Sequence, residues 1–153
     1  MIVVFGIGSN LADKEQHIQS ALDYLSLIVG TRLSCSDFFY SEPWGFVSDN
    51  RFVNVVAAYR TSLSAVTVLR LSQRIERLMG RQEHSHIDSY GKKQYADRNI
   101  DIDLLFYFPQ NKMPRTIDEA FIMSEKHNSA FLTLPHPLIR QRDFVVVPLR
   151  QIL

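Results

Sequence analysis

The stretch RNIDIDLLFY, from Arg98 to Tyr107, decides how this chain is read. At strand periodicity Ile100, Ile102, Leu104 and Phe106 share one face, and Asp101, Asp103, Leu105 and Tyr107 share the other. The apolar face can enter a core while two carboxylates emerge side by side. At i and i+2 their Cα atoms stand roughly 6 to 7 Å apart, so the like charges weaken the strand unless positive charge lies between them. A pair of magnesium ions meets that need, because hard cations take carboxylate oxygens and a two-metal clamp spaces its centres roughly 3.5 to 4 Å apart. The alternative is a solvated edge strand whose aspartates deter pairing with another chain.

Working outward, Gly80 to Asn99 has almost no periodicity and holds Arg81, Glu83, His84, His86, Asp88, Lys92, Lys93, Asp97 and Arg98. At about twenty residues it exceeds the usual connection, so a mobile functional loop is expected. Before it, Val68, Leu71, Ile75 and Leu78 form the stripe of a helix that Ser62 or Ser64 caps and Gly80 ends, with Gln73, Glu76 and Arg77 on the other face. Phe52 to Tyr59 reads as a strand carrying Phe52 and Asn54 on one face. Ser41 to Asn50, with Pro43 and Gly45, reads as a loop, and Thr31 to Tyr40 as an exposed strand.

Nearer the start, Ile18, Ala21, Leu22, Leu25 and Ile28 mark a helix from about Lys14 to Leu27. Ile2 to Ile7 is a buried strand that reaches a turn at Gly8, Ser9 and Asn10. Downstream of the aspartates, Ile117, Ala120, Phe121 and Ser124 share one side of a helix, and Phe131 to Leu134 forms a short strand. Leu138 to Leu149 makes helical turns around a buried Phe144 and Val147, limited by Pro148. The order β, α, β, β, α, β with a helical tail is the split βαβ arrangement. The expected fold is therefore α+β, a ferredoxin-like plait whose antiparallel sheet is covered by helices, in one domain spanning residues 1–153.

Composition narrows the partners. Hydrophobic residues make up 46% and charged ones 22%, and a net charge of +1 comes without the lysine and arginine run of a nucleic-acid footprint. No nucleic acid or membrane partner is expected. The single Cys35 has no internal partner and is expected as a reduced thiol. MIVVFGIGSNL lacks a basic leader and runs into Gly and Asn, and no apolar run approaches 18 residues. A cytoplasmic address follows by elimination.

Taken together, FGIGSNL (Phe5 to Leu11), SEPWG (Ser41 to Gly45), Phe52 with Asn54, RIERLMGR (Arg74 to Arg81), DRNIDIDLLF (Asp97 to Phe106) and LTLPHPLIRQRDF (Leu132 to Phe144) resemble the 6-hydroxymethyl-7,8-dihydropterin pyrophosphokinases of folate biosynthesis. The resemblance covers nearly the whole chain in the family's order, and no Walker A run points to the commoner phosphate cradle. It implies the plait, and transfer of pyrophosphate from ATP to the pterin's hydroxymethyl group with release of AMP. Matched by motif, Asp101 and Asp103 are the metal and catalytic aspartates, working with two magnesium ions. Arg81 and Arg98 match arginines that meet the phosphates, where a guanidinium fork fits better than the ammonium of Lys92 or Lys93. Gln73, Glu76, His136 and Arg142 match further ATP positions.

For the pterin, the resemblance implies Ser41, Glu42, Pro43, Trp44, Phe52, Asn54 and Phe144, with Tyr95 in the covering position where relatives carry a tryptophan. A flat amide-rich ring wants aromatic faces and in-plane donors and acceptors, and Asn54 within FVNVVAAY either meets solvent or has a dedicated partner. A zinc site from His84, His86 and His136 lacks a cysteine pair. Several features depart from the family. Glu83 or His84 replaces a second arginine, Tyr95, Ala96 and Asp97 replace a tryptophan-glycine-proline run, and the stretch from Tyr107 to Leu134 is longer than usual. The chain also ends at PLRQIL, short of the tail many relatives carry. An active enzyme with altered loop behaviour, acting as a monomer, is the expectation. Its rivals are a binding module indifferent to magnesium and pterin, and an RNA-binding plait, against which the charge balance and the two strand aspartates argue.

Overall fold

The computed structural model describes residues 1–42, 51–80 and 100–153, together with the backbone at 86–87 and 93–94. Strand β1 (Ile2–Ser9) is the centre. It leads through Asp13, which adopts the left-handed conformation at φ 58°, into helix α1 (Lys14–Ile28). The edge that follows is two short strands, β2 (Thr31–Cys35) and β3 (Phe39–Ser41), and both pair with β4 (Phe52–Arg60). The expected single strand from Thr31 to Tyr40 is broken at Ser36. Its N–H donates to the Val56 carbonyl (2.9 Å) and its Oγ accepts from Val56 N–H (2.9 Å), so a side chain replaces part of the ladder.

Helix α2 (Ala65–Leu78) begins at Ser64, whose Oγ accepts from Thr67 N–H, and ends before Gly80 at φ 86°. After it come the two-residue strands β5 (His86–Ile87) and β6 (Lys93–Gln94), then β7 (Asp101–Phe108). The tail holds helix α3 (Ile117–Met123), the hairpin strands β8 (His127–Asn128) and β9 (Thr133–Leu134), a 3-10 turn at Ile139–Gln141 and helix α4 (Asp143–Ile152). The fold is mixed α and β, with an antiparallel sheet ordered β2-β4-β1-β7, β3 joined to β4, and four helices among the described residues.

The sheet is buried on both faces. One face carries Val3, Phe5, Ile7, Val55 and Tyr59 against α1 and α2, and the other carries Val4, Val56 and Ala58 against α3 and α4. Burial of both faces explains why β1 and β4 read as continuous apolar runs rather than as alternating ones. It also corrects the face assignment in β7. The register slips between Val4 and Phe5, so Leu104 opposes Phe5 and Phe106 opposes Val4, with Leu105 as the extra residue. Beyond the bulge the parity inverts: Phe106 joins Leu105 in the second core, and Tyr107 returns to the first.

Other expectations also change. Gly8 and Ser9 stay inside β1, paired with Asn54 and Val53, instead of forming a turn. Leu78 and Val147 are exposed, because Val68 and Ile75 hold the α2 face while Val145 and Leu149 hold that of α4. Pro148 is buried within α4 and does not end it, since only the one N–H that would reach back to Phe144 is missing. The expectation for residues 80–99 falls almost wholly outside the described residues.

The outer edge of β7 is satisfied by groups from three other segments. Ile102 N–H donates to Glu76 Oε2 (3.2 Å), and the Leu105 carbonyl accepts from His136 N–H (3.0 Å). Tyr107 N–H donates to Ser124 Oγ (3.2 Å), while the Tyr107 carbonyl accepts from Glu125 N–H (2.7 Å). These bonds tie α2 and the tail to the strand that carries the aspartates.

Candidate active site

Cross-strand register builds the first half of the site. Asn54, Gly8 and Asp101 form one row across β4, β1 and β7, and Val56, Gly6 and Asp103 form the next. Directly paired residues share a face, so the middle strand contributes no side chain between the amide and the carboxylates. The result is a trough roughly 10 Å across from Asn54 to Asp101, two strand spacings. Its width is enforced at Gly8, where a Cβ would lie 2.4 Å from Asn54 Oδ1. Asn54 is 8% exposed, and its Nδ2 donates to Ser41 Oγ (3.4 Å). Phe52 lies two residues away on the same face of β4. Glu42 instead reaches Arg51 in an exposed pair (3.5 Å), a contact of little energetic weight.

The second half is a cavity of about 490 Å³ beside the aspartates. Its polar lining includes Asp101, Asp103, Gln73, Glu76, His136 and Arg142, with Ser129 and Thr133 beside them. Arg142 Nη1 donates to Asp103 Oδ2 at 3.5 Å, and its guanidinium carbon lies 5.5 Å from the centre of the Phe144 ring. Through that arginine the Phe144 end of α4 is joined to the carboxylate pair. The positive charge foreseen beside the aspartates is therefore supplied in part by the protein.

His136 follows the cis Leu134–Pro135 peptide bond. Leu138 N–H donates to its Nδ1 (3.2 Å), so in the neutral ring the proton lies on Nε2. Burial, and then the Arg142 charge, push this imidazole down to about 4, against an opposite pull from Asp101. It is thus a neutral hydrogen-bond donor at pH 7. Glu76 is only 5% exposed and spends one oxygen on the backbone of β7.

The chemistry of the donor set fits a hard divalent cation. Two carboxylates are a normal protein share for magnesium, which keeps further places for water and substrate phosphate. Among the described residues no group of three His, Cys, Asp or Glu could hold a metal by itself.

The family model described as 7,8-dihydro-6-hydroxymethylpterin-pyrophosphokinase (HPPK) matches residues 4–153. The chain belongs to the HPPK family. A relative from Porphyromonas gingivalis, named 2-amino-4-hydroxy-6-hydroxymethyldihydropteridine pyrophosphokinase, is 37% identical over 153 residues, covering 99% of this chain and 90% of the relative. One of the same name from Aquifex aeolicus is 30% identical over 150 residues, covering 98% and 79%. Among solved structures, an HPPK-DHPS in complex with substrates matches at a TM-score of 0.62 and 15% identity, which bears on fold alone. That match covers 99% of this chain, which spans only 40% of the solved one. The HPPK resemblance read from the motifs is thereby borne out at the level of family.

Of the residues singled out in the sequence, the structure gathers Asp101, Asp103, Gln73, Glu76, His136 and Arg142 at the cavity, and Ser41, Phe52 and Asn54 at the trough. Pro43, Trp44, Arg81, Tyr95 and Arg98 lie outside the described residues. Sequence reasoning missed Gly6 and Gly8 as the trough floor. Alternating glycines inside an apolar strand were the available signal, because such positions mark close approach of a ligand or neighbouring group.

Proposed function

We propose that this chain transfers the pyrophosphoryl unit of ATP to the hydroxymethyl oxygen of 6-hydroxymethyl-7,8-dihydropterin. The observation that carries the reading is the placement of Asp101 and Asp103 where the glycine-floored trough meets the nucleotide-sized cavity. In the proposed reaction the acceptor oxygen forms a bond to the β phosphorus, and the bond from that phosphorus to the oxygen shared with the α phosphate breaks. AMP leaves with that oxygen, and the hydroxyl proton goes to solvent. Pterin in the trough and ATP in the cavity bring acceptor and phosphorus together, so positioning supplies much of the acceleration.

Asp101 and Asp103 would hold two magnesium ions, which when bound draw charge from the phosphate oxygens and acidify the acceptor hydroxyl. Arg142 offers its guanidinium to the phosphates, and His136 donates from Nε2 without adding charge. Gln73 and Glu76 face the nucleotide, with Arg81 and Arg98 as further phosphate contacts. Asn54 and Ser41 read the pterin's polar edge, with Glu42, Pro43, Trp44 and Tyr95 in the surrounding loops. Phe52 and Phe144 supply apolar faces.

The sheet order supports the finer description of the fold as a ferredoxin-like plait in one domain. A monomeric, cytoplasmic enzyme completes the proposal. The test is AMP release with ATP, magnesium and the pterin, beside Asp101→Asn and Asp103→Asn. Pterin-dependent AMP that falls by a factor of about 100 or more in both variants is expected. ADP as the product, or turnover unaffected by both changes, would sink the reading.

A further inference from the structure

We propose that Phe131 is the stacking face for the nucleobase of ATP, and so determines how strongly this site favours a nucleotide over a bare polyphosphate. This rests on the ATP reading above and concerns the end of the ligand that the aspartates do not touch. Phe131 is 63% exposed, the largest side chain at the tip of the β8–β9 hairpin. It lines the same cavity as the carboxylates, and among the described residues it is the one phenyl ring that does so.

The tip is held in shape. Ser129 N–H donates to the Leu132 carbonyl (3.0 Å), Leu132 N–H donates to Ser129 Oγ (3.1 Å), and that hydroxyl donates to the Leu132 carbonyl (3.2 Å). Three hydrogen bonds thus close a four-residue turn with Ala130 and Phe131 at its apex. Immediately after the ring the chain is anchored, since Leu132 and Leu134 are 5% and 3% exposed in the main core. The hairpin buries two leucines and holds a phenylalanine out, although burial of the ring would have been the favourable default.

The lining of the cavity divides by chemistry in the way the ligand does. His136 and Arg142 suit phosphate, and Asp103 would do so through a bound cation, while Leu69, Leu104, Leu138 and Phe131 are the cavity's larger apolar lining. A purine offers two flat faces, and an aromatic ring held in place takes one of them at little entropic cost. Base-to-aromatic stacking tolerates different bases, so the effect falls on the presence of the base more than on its hydrogen-bonding edge.

The experiment is calorimetric binding, with magnesium present, of ATP and of inorganic tripolyphosphate to the wild type, Phe131→Ala and Phe131→Tyr. Truncation should weaken ATP by about tenfold, leave tripolyphosphate unchanged, and be rescued by tyrosine. In turnover the same variant should raise the KM for ATP while kcat holds. Unchanged ATP affinity in Phe131→Ala overturns the proposal. So does an equal loss for tripolyphosphate, or a tyrosine variant as weak as alanine. Wild-type protein that binds neither ligand would instead overturn the nucleotide reading itself, and this inference with it.

Discussion

At the scale of single residues, the site depends on atoms that are missing as much as on those present. Gly8 has Asn54 on one side and Asp101 on the other, and the 2.4 Å clash expected of any Cβ there falls on the amide oxygen. Gly8→Ala should turn the Asn54 amide aside and weaken the dihydropterin by roughly tenfold or more, the loss expected when a buried polar contact to a ligand is broken. ATP binding without pterin should stay as in the wild type. Gly6→Ala also raises the trough floor, but its Cβ would meet Leu105 Cδ1 at an ordinary 3.4 Å and displace no polar group, so it should weaken the pterin less. Fluorescence titration of the pterin into both variants checks this, and wild-type pterin affinity in Gly8→Ala would refute the trough. The aspartates could be read from sequence because charge is conspicuous within an apolar strand. Gly8 was equally visible but was read as the start of a turn, since its function lies in a neighbour's side chain.

At the scale of elements, β7 shows what periodicity can and cannot deliver. Its first half followed the alternation and put Asp101 and Asp103 on one face. Its second half did not, because the bulge at Leu105 depends on pairing with β1, which is not written in β7 itself. In the same way the Ser64 cap was legible from local chemistry, whereas exposure of Leu78 and Val147 depends on where the partner sheet ends.

The clamp on this strand can be tested at Glu76. Glu76→Ala leaves the buried Ile102 N–H without its acceptor and should cost about 1–3 kcal/mol in urea unfolding. Glu76→Gln retains an oxygen at that position and should cost less. Equal losses in the two variants would show that charge, and not the strand bond, is what the carboxylate contributes.

At the scale of the whole molecule, Tyr59 joins the sheet to the helical layer. It is fully buried, donates from its hydroxyl to the Leu22 carbonyl (2.9 Å), and meets Phe5 edge to face at 5.8 Å. Burial pushes its phenol up to about 12, partly offset by the nearby Ser26 hydroxyl. The folded form therefore keeps its proton where the unfolded chain, titrating near 10, has begun to lose it. This contribution to stability is complete below pH 10 and is lost as pH rises towards 12. Tyr59→Phe should be less stable at pH 7 by about 1 kcal/mol, yet show a flatter decline between pH 10 and 12. Denaturant midpoints across that range are the measurement, and parallel declines would refute the assignment. Such a contact joins residues 37 apart in sequence, which is why neither partner announced it beforehand.

The occupied margin of β7 has a further consequence. A filament that grows by adding sheet to sheet needs two open rims on every subunit. Here the rim at Ile102, Leu105 and Tyr107 is taken up by the chain's own groups, while β2 and β3 lie at the opposite end of the strand order. Two copies meeting through that opposite end would use the same surface twice and close as a pair. Strand addition through the main sheet, among the described residues, therefore stops at a pair.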